Sequence, residues 1–221
     1  VSNNNFKHQL FEQFARIGKS LSSGPRLELL EYLAQGERNV ESLSRVSGFS
    51  IANTSQHLRH LHQAGLVASR KSAQQVFYRL ADEQVIDLLD LIRKVAERNL
   101  AEIDRLINTF LTSKDELEPI SGTELFERLK RKDITVLDVR PNEEFNSGHL
   151  PNAVNIPLSE LEKRLNTLPM DRDVVAYCRG PHCILSFEAV ERLRKKGFRA
   201  LRYENGFPEW KRSGLPVEMG I

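Results

Sequence analysis

Val174-Val175-Ala176-Tyr177-Cys178-Arg179-Gly180-Pro181-His182-Cys183 is an apolar run that ends on a thiol and turns through a short polar loop. It then sets a second thiol at the head of a helical-looking run, Ile184 to Lys196. A short apolar run bounded by turn residues has the pattern of a buried strand. The stretch therefore predicts strand, loop, helix, with Cys178 at the strand's end. A free cysteine titrates near ~8.5, and a helix N-terminus or a nearby cation lowers that value. This is where a chain would hold a reactive thiolate. The two cysteines are the only ones in 221 residues, so their closeness points to a joint purpose. Two cysteines cannot build a secreted disulfide framework. With no signal peptide and no apolar run of membrane-spanning length, a cytoplasmic, reducing location with no membrane partner is the expectation.

Around this stretch, strands and helices alternate. Helices are expected over Gly122 to Lys132 (capped by Ser121 or Thr123), Leu158 to Leu165 and Ile184 to Lys196. Strands are expected over Thr135 to Val139, Val174 to Tyr177 and Ala200 to Tyr203. This βα alternation implies a parallel sheet covered on both faces, in a domain spanning 120–221. Upstream, 113–119 is short, charged and broken by Pro119, and reads as a linker.

Residues 1–112 read differently, as helices with one hairpin. Phe6 to Lys19 has helical apolar spacing, and Pro25 suits the first turn of a helix to Ala34. Two short helices, Asn39 to Val46 and Ser50 to Ala64, flank Ser47-Gly48-Phe49-Ser50 as a helix-turn-helix. Leu66 to Arg70 and Val76 to Leu80 form a hairpin wing around Lys71 to Gln75. A single long helix, Glu83 to Leu111, carries an apolar stripe too long for one domain to cover, which suggests a second chain. Hydrophobic residues make up 40% of the sequence and charged residues 28%, so an ordinary soluble core needs no staples. The net charge is +2 but uneven, because Ser42 to Ala81 holds no Asp or Glu while carrying Arg45, Arg59, Arg70, Lys71 and Arg79. A basic stretch of this kind suits a polyanion.

The run Ser50 to Val67, with its Ser-Gln-His-Leu-x-x-Leu-x-x-Ala-Gly-Leu-Val spacing, resembles the recognition helix and wing entry of ArsR-family winged-helix repressors. Val76-Phe77-Tyr78-Arg79-Leu80 resembles their second wing strand. The resemblance implies a homodimer on double-stranded DNA with an inverted-repeat operator. A helix in the major groove can read base edges with polar side chains. Asn53, Thr54, Ser55, Gln56 and Arg59 are expected to face DNA, His57 either to touch a phosphate or to pack, and Arg70 and Lys71 to contact backbone phosphates. Many ArsR relatives sense metals through cysteines near the first helix of the motif, or through His and carboxylates on the dimer helices. Val40 to Ser47 holds no cysteine and Glu83 to Leu111 no histidine, so no metal site is expected and sensing must lie elsewhere.

Leu137-Asp138-Val139-Arg140-Pro141, Glu144-Phe145 with Gly148 to Pro157, Tyr177-Cys178-Arg179-Gly180 and Asn205 to Trp210 resemble the rhodanese family. The resemblance implies a parallel five-stranded sheet and a nucleophilic Cys178 that takes a sulfane sulfur from thiosulfate or a persulfide, with no cofactor. Amides of the loop Arg179, Gly180, Pro181, His182 and Cys183 would then cradle an anion. Asp138 and Arg140 would order the site by hydrogen bonds, with Glu144 and His149 as scaffold. The six-residue span matches the shorter loop of sulfurtransferases rather than the wider cradle of related phosphatases and arsenate reductases. Many active rhodaneses carry an arginine where this chain has Cys183, which tells against thiosulfate. A cysteine there could instead resolve a persulfide or sulfenic acid into a disulfide.

The expected architecture is thus two domains, a mainly α winged helix-turn-helix followed by an α/β rhodanese-like domain. The leading reading is a DNA-binding repressor whose rhodanese domain senses reactive sulfur or redox state. The alternatives are a working sulfurtransferase with a DNA-binding module, and an oxyanion- or arsenic-responsive regulator, ranked last because two thiols make a poor trigonal arsenite site.

Overall fold

The computed structural model describes residues 3–112 and 119–220. The expected linker, except for Pro119, lies outside the described residues. The chain divides into two compact units, Val1–Leu91 and Ile92–Ile221.

In the first unit, α1 (Asn3–Leu21), α2 (Gly24–Ala34), α3 (Val40–Ser47) and α4 (Ile51–Gln63) precede the hairpin β2 (Val67–Ser72) and β3 (Gln75–Leu80). Local chemistry sets the helix ends. Asn39 caps α3 by accepting from the Ser42 amide, and Gly48 stops it at φ 75°, a left-handed position that favours glycine. Ser50 then caps α4 by accepting from the Asn53 amide at 3.2 Å. Leu29, Leu30 and Leu33 of α2 pack with Leu43, Leu58 and Leu61 into one core. The wing is tighter than expected, because Lys71 pairs with Val76 and Ser72 with Gln75. Ala73 takes a positive φ of 52° at the turn. A third strand, β1 (Arg38–Asn39), pairs with β3 through Arg38↔Tyr78; its two residues are too few to show a period of two.

The expected single helix over Glu83 to Leu111 is instead broken. Helix α5 (Gln84–Asn99) ends where Leu100 adopts φ −116°, ψ 101°, and α6 (Ala101–Ile107) begins afresh before a π-helical turn over Asn108–Thr112. The Asn99 side chain donates to the Val95 carbonyl at 2.7 Å, an example of asparagine competing for helix backbone groups. Leu91, Val95, Leu100 and Leu106 remain exposed, as do Phe6, Phe11 and Phe14 of α1.

The second unit holds α7 (Gly122–Arg131), β4 (Ile134–Asp138), α8 (Asn142–Ser147), β5 (Val154–Asn155), α9 (Leu161–Arg164), β6 (Asp173–Cys178), α10 (Ile184–Lys195), β7 (Ala200–Gly206) and α11 (Phe207–Arg212). The strands form a parallel sheet of order β5-β4-β6-β7. Among the described residues the sheet has four strands rather than the expected five. The fifth is reduced to a parallel bridge between Ile120 and Tyr203, because Ser121 immediately caps α7. Consecutive residues of β6 serve opposite faces. Val174, Ala176 and Cys178 join a core with Ala189, Val190 and Leu193 of α10. Val175 and Tyr177 join another with Leu125 and Trp210. Burial on both faces explains why β6 reads as a continuous apolar run rather than an alternating one.

Candidate functional site: a paired-cysteine loop and a polar helix face

Cys178 is fully buried at the end of β6, and Cys183 stands as the N-cap of α10. The two are joined as a disulfide with Cα atoms 6.2 Å apart. The loop closes on itself through the Cys183 amide, which donates to the Gly180 carbonyl at 3.1 Å. That amide is therefore engaged within the loop rather than offered to an anion, as the sequence suggested. Gly206 pairs across from Cys178. A Cβ on Gly206 would overlap the Arg179 and Gly180 backbone, so β7 and the loop meet there by backbone contact.

Arg179 does not project its charge into the loop. Its Nε lies 3.0 Å from both oxygens of Glu144, and its second donor, Nη2, lies 2.7 Å from Oε1. Glu144 is buried. Within the same unit, His182 Nε2 lies 2.6 Å from Glu97 Oε1.

Beside the loop, Asp138 and Arg140 are wholly buried. The Arg140 guanidinium grips Asp138 with Nε at 3.0 and 3.1 Å and Nη2 at 2.6 Å, and donates to the Gly148 carbonyl at 2.8 Å. The Tyr177 hydroxyl also donates to Asp138, and accepts from the Leu150 amide at 3.1 Å. Burial works to lower the Arg140 pKa, but the charge and hydrogen bonds of Asp138, with Tyr177 and Glu144 beyond, outweigh it and the net shift is upward. Burial, then the Asp138 charge, pushes Tyr177 well above its ordinary value. At neutral pH the guanidinium therefore stays charged and the phenol neutral. The three side chains hold one another and the Gly148 carbonyl through this buried hydrogen-bond network. Tyr177 and the Arg179–Glu144 fork are the parts that sequence reasoning missed. Tyr177 was legible in principle, since it alternates with Cys178 along the strand.

In the winged-helix unit, α4 presents Asn53, Gln56 and Arg59 to solvent and Ser55 partly so. Thr54 departs from expectation. It is fully buried on the stripe of Leu58 and Leu61, and its hydroxyl donates to the Ser50 carbonyl at 3.0 Å. The helical period puts it inside and a local backbone bond satisfies it, so Thr54 does not face DNA. His57 packs at 6.3 Å against the Phe49 ring, with Nδ1 buried and unbonded among the described residues. Burial, then the charges of Arg26 and His60, lowers its pKa. A depressed histidine pKa gives stability that is present above the ordinary value of about 6.5 and is lost as pH falls from there through the lowered folded-state value. The His57 ring is expected to titrate below that value by NMR, with the unit's melting temperature falling on acidification; His57→Phe should flatten that fall. Lys71 is exposed at the wing. Arg70 is also exposed, but its guanidinium is forked onto Glu37 and lies 4.9 Å over the Phe77 ring.

The chain is 41% identical to the HTH-type transcriptional regulator Rv0324 of Mycobacterium tuberculosis, over 97% of this chain and 94% of that one. The model of the bacterial regulatory protein, arsR family, matches residues 23–69, and that of the rhodanese-like domain matches 121–213. The chain belongs to the arsR family, with a rhodanese-like domain fused to it. A sulfurtransferase of Allochromatium vinosum is 34% identical over 44% of this arsR-family chain and 92% of its own length. A homodimeric winged helix-turn-helix DNA-binding domain from Mycobacterium bovis is 39% identical, covering 45% of this chain and 91% of that one, with a TM-score of 0.42. No described helix of the arsR-family chain is long and apolar enough to cross a membrane.

Proposed function

We propose that this arsR-family regulator is a repressor that binds an inverted-repeat operator as a homodimer, and that Cys178 carries sulfane sulfur whose arrival changes DNA affinity. In this reading residues 1–112 bind DNA and dimerise, 113–119 link, and 120–221 form the sulfur-handling domain, in the cytoplasm. Asn53, Ser55, Gln56 and Arg59 read base edges, Lys71 meets a phosphate, and Arg70 meets one by exchanging Glu37 for it. The exposed apolar side chains of α1, α5 and α6 supply the dimer contact. One observation carries the reading: the chain's only two cysteines are paired in the rhodanese loop, while its winged-helix half has no thiol with which to sense.

Operator binding by the wild-type and Cys178→Ser chains, with and without polysulfide, tests this. Polysulfide should shift the wild-type dissociation constant at least about fivefold, a typical lower bound for coupled sites, and leave Cys178→Ser unmoved. Equal responses from the two chains would end the proposal. A second reading, a working sulfurtransferase with a DNA-binding module, is favoured by the likeness to the Allochromatium enzyme. Sustained turnover with a persulfide or thiosulfate donor would select it.

A further inference from the structure

We infer that Cys183 is the resolving thiol of this site, and that the donor is an organic persulfide whose sulfane sulfur leaves as hydrosulfide. The inference rests on the reading that Cys178 carries sulfane sulfur.

Geometry supplies the first argument. The two cysteines have Cα atoms 6.2 Å apart and are bonded to each other, within the span a disulfide needs. Cys178 belongs to the buried core and the half-buried Cys183 packs against that same core, so the two sulfurs share one layer of the domain. As N-cap of α10, Cys183 makes no side-chain capping bond, which leaves its sulfur uncommitted to the helix.

Charge supplies the second. The loop's two basic side chains each face a carboxylate, Arg179 on Glu144 and His182 on Glu97. Dianionic thiosulfate would find the Arg179 cation already paired with Glu144, and desolvating two negative charges beside that neutralised pair is costly. The N-terminus of α10, a helix of 12 residues, offers about half an elementary charge. That suits a monoanionic persulfide or a thiolate.

The steps balance without an external oxidant. The Cys178 thiolate attacks the outer sulfur of the donor RSSH, and the donor leaves as the thiolate RS⁻. Cys178 then bears a persulfide. The Cys183 thiolate attacks the Cys178 Sγ, forming the Cys178–Cys183 bond and expelling HS⁻. The net change converts RSSH and two thiols into RSH, H2S and one disulfide. The sulfane sulfur gains the two electrons that the cysteine pair loses, and a cellular dithiol returns the pair to its starting state.

Intact-mass measurement of the full chain, reduced and freed of reductant, then given one equivalent of glutathione persulfide, tests this. Wild type is expected to lose about 2 Da and release about one equivalent of hydrosulfide, whereas Cys183→Ser and Cys183→Ala should both hold a gain of about 32 Da on Cys178. Thiosulfate should load either variant at least about tenfold more slowly, the factor worth roughly 1.4 kcal/mol in the barrier. If wild type keeps the added sulfur without forming the disulfide, resolution by Cys183 is overturned while sulfur carriage by Cys178 stands. If thiosulfate loads as fast as the persulfide, the donor assignment is overturned. If neither wild type nor either variant gains sulfur or releases hydrosulfide, both this inference and the reading beneath it fall.

Discussion

Asp138→Ala is expected to take about 3–5 kcal/mol from the stability of the rhodanese-like domain. The substitution removes the carboxylate that grips the wholly buried Arg140 guanidinium, and leaves the Tyr177 hydroxyl without its Asp138 acceptor. Breaking a buried ion pair by deleting one partner costs about 3–5 kcal/mol, against a whole-domain stability of about 5–15 kcal/mol. Asp138→Asn should cost less, because its side-chain oxygen still accepts from Arg140 and Tyr177. Chemical denaturation followed by Trp210 fluorescence would read both, since Trp210 is the only tryptophan in the chain and is fully buried in the same unit. Equal stability of wild type and Asp138→Ala would show that Arg140 finds another anion, and that this network does not brace the domain.

Gly206→Ala should leave the domain folded but nearly abolish sulfur loading. The added methyl overlaps the Arg179 and Gly180 backbone, and backbone cannot swing aside as a flexible side chain can. The loop must move, carrying Cys178 and Cys183 out of register. A misplacement of about 1 Å in a reacting group can cost on the order of a hundredfold in rate. Single-turnover loading from glutathione persulfide, followed by mass, would measure it. A loading rate within about twofold of wild type would show that the loop is not positioned by β7. Gly148→Ala is a useful contrast. There the new methyl would meet the Phe207 ring at 2.6 Å and sit at φ 149°, a strain placed on the scaffold rather than on the loop.

Much of this was legible in the amino-acid sequence, and what was not has identifiable physical causes. The strand, loop and helix around Cys178 could be read because burial on both faces writes a continuous apolar run and the helix that follows is long. A cap such as Ser121 was legible because its chemistry is local. The break at Leu100 was not, since a leucine there fits a helical stripe as well as it fits the end of one. Thr54 was misjudged because its hydroxyl looked available, when a carbonyl four residues back already holds it. Pairings across long separations, such as Arg179 with Glu144 or Arg70 with Glu37, leave no periodic trace. They matter nonetheless, because they determine which cations a ligand can meet.

The alternation of β6 has a consequence for how this protein can change over time. One side of the strand carries the thiol and the other carries the phenol that steadies Asp138. The strand is therefore a partition between chemistry and support, and each side can drift under its own selection as long as the partition keeps its phase. A single inserted or deleted residue within β6 would exchange the two sides, delivering the thiol to the tryptophan layer and the phenol to α10. Substitutions in this half of the chain should be absorbed far more readily than any change of length between Asp173 and Cys178.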